Sequence, residues 1–249
     1  MKQGVCAVWA ALVLLGAPAM AAEIKVLSAG AVEPGLIKLA DEFKREHGAD
    51  LKIQVGTAPQ LTRRLAGGEV ADVLIAPPGV LEEQVKNGKV TPDGRIVVGR
   101  VGAGVIVRSG AAAPNIASVD ALKQALLSAD SVVYNTASTG IYLEKLFEKI
   151  GIAEQIKAKT TRYPNGEAVM EHVINGKGNE IGFGAITEIR TFEPKGLKLV
   201  GPLPAEVQNY TTYSAGIMTA APSPAAARDF VRYLSTAGAK ATFAATGVE

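Results

Sequence analysis

From Ile24 onward, short apolar runs alternate with stretches whose apolar residues recur at helical spacing. Ile24-Lys25-Val26-Leu27 reads as a strand. Leu36, Ile37, Leu39, Ala40 and Phe43 then share one side of a helix that Pro34 starts and Gly48 ends. Leu51 to Val55 is a second strand, Leu61 and Leu65 face inward on the following helix, and Gly67-Gly68 stops it. Ala71-Asp72-Val73-Leu74-Ile75-Ala76 is almost continuously apolar, as a strand buried on both faces requires. A short helix, Val80 to Lys86, stops at Asn87-Gly88. This repeated strand-helix order predicts a parallel sheet covered on both faces, with a ligand beyond the carboxyl ends of its strands.

The pattern changes at Ile96. Ile96-Val97-Val98 and Val101 to Arg108 are separated only by Gly99-Arg100, which marks a crossover between lobes. Beyond it come helices at Val119 to Leu127, Ile141 to Ile150, Ala153 to Ile156 and Glu167 to Ile174, with strands at Ser131 to Tyr134, Lys159 to Tyr163, Ile181 to Gly184 and Leu197 to Val200. Ala185 to Ile189 follows the third of these strands. A long apolar strand from Tyr213 to Thr219 returns the chain to the first lobe, and helices from Pro222-Ser223 and over Ala237 to Ala245 close it. The fold class expected is therefore α/β in two lobes, each a mostly parallel sheet flanked by helices. The first lobe takes 22–102 and 213–249, the second 103–212, and the ligand cleft lies between them.

Asn135 to Tyr142 (Asn-Thr-Ala-Ser-Thr-Gly-Ile-Tyr) is the most informative turn. It leads from a buried strand into a helix. Ser138 or Thr139 is expected to cap that helix, and Gly140, with no Cβ, to let a ligand approach the backbone. First-turn N–H groups and the helix dipole would then form an anion seat. Two similar turns recur: the small-residue turn Ala29-Gly30-Ala31, and Gly56-Thr57-Ala58-Pro59 with its hydroxyl and proline. The same features serve equally for tight turns and caps in any α/β protein. Their recurrence is what favours binding. Arg63, Arg64 and Arg162 are the cations considered for a carboxylate, because a guanidinium can hold one with two hydrogen bonds.

Composition narrows the function. Lys2, the apolar run Val5 to Leu15 and small residues ending in Ala19-Met20-Ala21 read as a signal peptide cleaved after about Ala21, hence a periplasmic protein. The single cysteine, Cys6, falls in the removed part. The formal net charge is +2 before Lys2 is lost, which argues against nucleic acid as a partner. His47 and His172 sit within helices, and no His-x-His, cysteine cluster or acidic loop offers metal spacing. No cofactor is called for. There is no Gly-x-Ser-x-Gly, and Tyr134, Tyr142, Tyr213, Glu33 and Glu167 are available for proton transfer without any being singled out. Tyr210 and Tyr213, the lone aromatic pair, are more often core than site.

The order of these motifs resembles the type II periplasmic solute-binding proteins, most closely the molybdate-binding branch. The residues that carry the resemblance are Val26 to Ala31, Gln60-Leu61-Thr62-Arg63, Ala71 to Ile75, and Ser138-Thr139-Gly140-Ile141-Tyr142. The resemblance implies a periplasmic binding protein that captures an anion for a membrane permease of an ABC transporter. It also places the branch's two hydroxyl ligands at Ala31 and Ala58 and its ligand tyrosine near Ala185, where this chain has no such groups. A different ligand is therefore expected, a small organic anion with two or three carboxylates, with a molybdate- or sulfate-type oxyanion as the weaker alternative. The chain is also similar to the periplasmic aconitate isomerases, around Val26 to Gly30, Leu65 to Asp72, Ile106 to Pro114, Val132 to Leu143 and at Tyr213-Ser214. That resemblance implies a tricarboxylate, and an enzyme alternative. The candidate ligand-binding residues are Ala29, Gly30, Ala31, Thr57, Ala58, Arg64, Ser138, Thr139, Gly140, Tyr142, Arg162 and Tyr213.

Overall fold

A computed structural model describes residues 23–249; the segment read as a signal peptide lies outside the described residues. The first unit runs β1 (Glu23–Ala29), a 3-10 turn Gly30–Val32, α1 (Glu33–His47), β2 (Asp50–Gly56), α2 (Ala58–Ala66), β3 (Val73–Ala76) and α3 (Pro78–Lys86). β1 pairs in parallel with both β2 and β3, as the repeated strand-helix pattern requires. Val73 to Ala76 are wholly buried, which accounts for their continuous apolar run. Asp72, beside them and 1% exposed, accepts from the N–H of Lys25 at 2.8 Å and from that of Ser223 at 2.6 Å, joining β1 to the C-terminal helices. A carboxylate is tolerated there because backbone donors satisfy it.

The two apolar runs on either side of Gly99-Arg100 belong to one element. Ile96–Arg108 form a single strand, β4, with its register shifting between Val97 and Gly99. The glycine answers to the chain terminus: a Cβ on Gly99 would stand 2.5 Å from the Val248 side chain and 2.8 Å from the Glu249 carbonyl oxygen. Arg100 and Glu249 exchange two backbone hydrogen bonds, at 2.8 and 2.9 Å.

The second unit runs α4 (Val119–Ser128), β5 (Ser131–Asn135), α5 (Ser138–Lys149), α6 (Ala153–Ile156), β6 (Thr160–Tyr163), α7 (Gly166–Asn175), β7 (Glu180–Ala185), α8 (Ile186–Phe192), a 3-10 turn Glu193–Lys195 and β8 (Leu197–Pro202). β9 (Tyr210–Ile217), α9 (Pro224–Tyr233) and α10 (Ala237–Ala245) complete the chain. β9 starts three residues earlier than the apolar run suggested, because Tyr210 to Thr212 pair with Gly102 to Arg100 of β4. The sheet order is β2-β1-β3-β9-β4-β7-β5-β6, with β8 also on β4. β4 changes partners along its length, from β9 at Gly102 to β7 at Ala103. Each half has its own core. Phe43 meets Phe230 edge-on at 5.2 Å in one, and Phe147 meets Tyr134 and Phe183, each at 5.7 Å, in the other.

Candidate functional site

A cavity of about 780 Å³ opens where the two halves of the sheet face each other. The starts of α1, α2, α5 and α7 line it, which brings the N-terminal ends of four helices to one cavity. Nine of the twelve expected residues line it: Ala29, Gly30, Ala31, Thr57, Ala58, Arg64, Ser138, Thr139 and Tyr213.

The other three do not. Gly140 is buried, and its N–H donates to Oδ1 of Asn135 at 3.3 Å. Tyr142 donates its hydroxyl to the Val207 carbonyl at 2.7 Å, in the second core. Arg162 is ion-paired with Glu144, lies over the Tyr134 ring, and lines a separate cavity of about 500 Å³. Its position beside the Asn165-Gly166 turn in sequence suggested the cleft. Along β6, however, alternate residues face opposite ways, and Arg162 faces α5.

The turn into α5 is also built differently. The residue before the helix is Ala137, and neither Ser138 nor Thr139 caps it. Asn135, 5% exposed, does that work from the end of β5: its Oδ1 accepts from Ala137 N–H at 3.0 Å as well as from Gly140. The first-turn N–H groups of Ser138 and Thr139 keep no protein partner among the described residues. At α2, the N–H of Thr57 is taken by Oε1 of Gln60 at 2.7 Å.

The charges fall in unexpected places. Arg64 is held by both oxygens of Glu69, each at 2.6 Å, and also bonds to Gln54, so its charge is already compensated. Its neighbour Arg63 lines the cavity, is exposed, and has no ion pair among the described residues. Lys195, on the wall formed by the second lobe, stacks its ammonium over the Phe192 ring at 4.1 Å and likewise has no acid partner among the described residues. Thr187 joins the lobes beside the cavity, donating its hydroxyl to the Ala31 carbonyl at 2.5 Å.

Three acids line the same cavity: Glu33, Glu167 and Glu188. Burial and then Glu167 push the Glu33 carboxyl above its usual range. Glu188 is enclosed by its neighbours yet keeps part of its surface on the cavity. Desolvation, then the nearby Glu33, raise its carboxyl from 4.5 to about 7. Its oxygens sit between two glycines: a Cβ on Gly30 would stand 2.6 Å from Oε1, and one on Gly166 would stand 2.5 Å from Oε2. Tyr213, 6% exposed, has its hydroxyl pushed up by burial and by Glu188, so it stays neutral and able to donate.

Glu188 and Lys195 carry no sequence signal, since one is an acid in a short helix and the other a lysine in a turn. Asn135 did carry one: an Asx residue just before a helix is a known local acceptor. Among the described residues no group of three or more His, Cys, Asp or Glu is placed to hold a metal ion. His47 stacks on Phe43 at 4.4 Å, and Nδ1 of His172 shares a 2.9 Å hydrogen bond with the Tyr163 hydroxyl.

Comparison with known proteins agrees with this architecture. The chain is 31% identical to an aconitate isomerase of a Pseudomonas species, over 96% of this chain and 94% of that one. Among solved structures, the periplasmic molybdate-binding protein of Azotobacter vinelandii superposes with a TM-score of 0.75 at 17% identity, covering 91% of this chain and 98% of its own. The sulfate-binding protein SubI of Mycobacterium tuberculosis H37Rv does so with a TM-score of 0.74 at 19% identity, covering 91% and 86%. At such identities these two share the fold, the type II periplasmic binding protein architecture. The family described as bacterial extracellular solute-binding protein matches residues 24–249, and the chain belongs to that family.

Proposed function

We propose that this protein is periplasmic and captures a small organic anion with two or three carboxylates, closing its lobes, 22–102 with 213–249 and 103–212, around it for delivery to an ABC-type membrane permease. The observation that carries this reading is a pair of cations with no acid partner among the described residues, Arg63 on the first lobe and Lys195 on the second, lining one cavity of about 780 Å³. A cavity of that size has room for a metabolite-sized ligand. Ala31 and Ala58 add no hydroxyl, whereas a desolvated oxyanion needs every oxygen bonded. Native mass spectrometry of protein isolated from its own periplasm tests the reading. A co-purifying di- or tricarboxylate is the expected result, and co-purifying molybdate or sulfate would overturn it.

A second reading, isomerisation of aconitate by an allylic proton shift, draws support from the similarity to an aconitate isomerase and from an uncommitted carboxyl group, Glu188, in the cleft wall.

A further inference from the structure

We infer that Glu188 is the catalytic residue of an allylic proton shift: it removes a proton from the methylene carbon of an unsaturated tricarboxylate held in the cleft and returns one two carbons away. This rests on the second reading above, isomerisation of a polycarboxylate held in the cleft.

A buried carboxylate that serves only structure is normally held by donors, as Asp72 is by two backbone N–H groups. Among the described residues Glu188 has no such partner, and desolvation and another acid, Glu33, both push its carboxyl up. Its position is nevertheless fixed. Gly30 of the first lobe and Gly166 of the second give up their side chains where its two oxygens lie. A carboxylate wedged between the lobes, facing the cavity and with no donor among the described residues, is placed to meet a ligand that both lobes grip.

The chemistry balances without a co-reactant. The Glu188 carboxylate takes the methylene proton, and the C–H electron pair becomes the new C=C bond. The former double bond's pair goes to the far carbon, which takes a proton from the carboxyl of Glu188, restoring the carboxylate. The intermediate places negative charge on a ligand carboxylate, where Arg63, Lys195 and the N–H groups of Ser138 and Thr139 provide countercharge and donors. A carboxyl that titrates at about 7 is available in both forms near neutral pH, as one group acting as base and then acid requires. Glu33 and Glu167 share the cavity and are the rivals for the role.

The test follows trans-aconitate in deuterated water by proton NMR, with affinity measured in parallel by calorimetry, for the wild type and for E188Q, E33Q and E167Q. The expected result is wild-type exchange with appearance of the cis isomer, rising with pH through an inflection near 7. E188Q should lose at least a hundredfold in exchange rate while binding trans-aconitate within a few-fold of the wild type. That loss is the range for removal of a general base. E188Q is also expected to melt no lower than the wild type, so its inactivity would not reflect unfolding. Binding without exchange in the wild type would overturn the role of Glu188 and leave the binding reading standing, as would full exchange in E188Q. Exchange lost in E33Q or E167Q but kept in E188Q would reassign the proton. Absence of binding by the wild type would overturn the polycarboxylate reading, and the inference with it.

Discussion

Oδ1 of Asn135 accepts the N–H of Gly140, and the backbone carbonyl of the same asparagine lies where a Cβ on Gly140 would have to stand. The glycine is therefore required by the packing of strand β5 against helix α5, whether or not a ligand is present. Gly140→Ala should lower the unfolding free energy by about 1–3 kcal/mol, the usual range for overpacking a tight site, and Gly140→Val by more. Urea denaturation of the ligand-free protein checks this. A Gly140→Val variant as stable as the wild type, defective only in binding, would restore the close approach of a ligand to the backbone that the sequence suggested.

Thr187→Val keeps the shape of the side chain and removes the donor to the Ala31 carbonyl. That buried carbonyl would be left unpaired, at a cost of about 1–3 kcal/mol. Because the bond runs from one lobe to the other beside the cavity, affinity should fall together with the melting temperature. Calorimetry and thermal melts of the variant decide it, and an unchanged melting temperature would mean the bond contributes nothing.

Arg63→Ala and Lys195→Ala should each weaken binding of a tricarboxylate roughly tenfold or more, on the scale of a lost charge-assisted hydrogen bond of about 1.5–3 kcal/mol. Arg64→Ala should instead act on stability, by freeing Glu69. Di- and tricarboxylates should raise the melting temperature of the wild type more than molybdate or sulfate does, since a ligand stabilises the state it binds. Tight molybdate binding with no carboxylate binding would contradict this.

Stability should fall as pH rises through the window set by Glu188. Its carboxyl titrates at 4.5 when unperturbed and at about 7 in the folded chain, so the folded state holds the proton more tightly than the unfolded one. This stabilising contribution is fully present below about 4.5 and is lost as pH rises past 7. Its upper bound is about 3 kcal/mol at 1.36 kcal/mol for each pH unit, reduced by solvent that reaches the carboxylate through the cavity. Glu33, shifted in the same direction, adds to the slope. Melts between pH 4 and pH 8 on the wild type and E188Q measure it. The variant should show the shallower fall, and a parallel pair of curves would place the titration elsewhere.

The sequence alone determined the order of elements, because strand and helix periodicities are local properties of the chain. Leu36, Leu39 and Phe43 announced α1, the apolar run ending at Ala76 announced β3, and the turns at Gly30, Thr57 and Ser138 announced which ends of the elements would line the cavity. Tertiary structure decided how the charges pair. Arg63 and Arg64 are adjacent in sequence, yet only Arg64 finds Glu69 and Gln54 within reach, and Arg162 is spent on Glu144. It also decided that the oxygens of Glu188 lie between Gly30 and Gly166, residues remote from it along the chain that the packing of α8 against α7 and against the first lobe brings to it. An ion pair or a desolvated carboxyl depends on distances between segments remote in sequence, and no local periodicity encodes those distances.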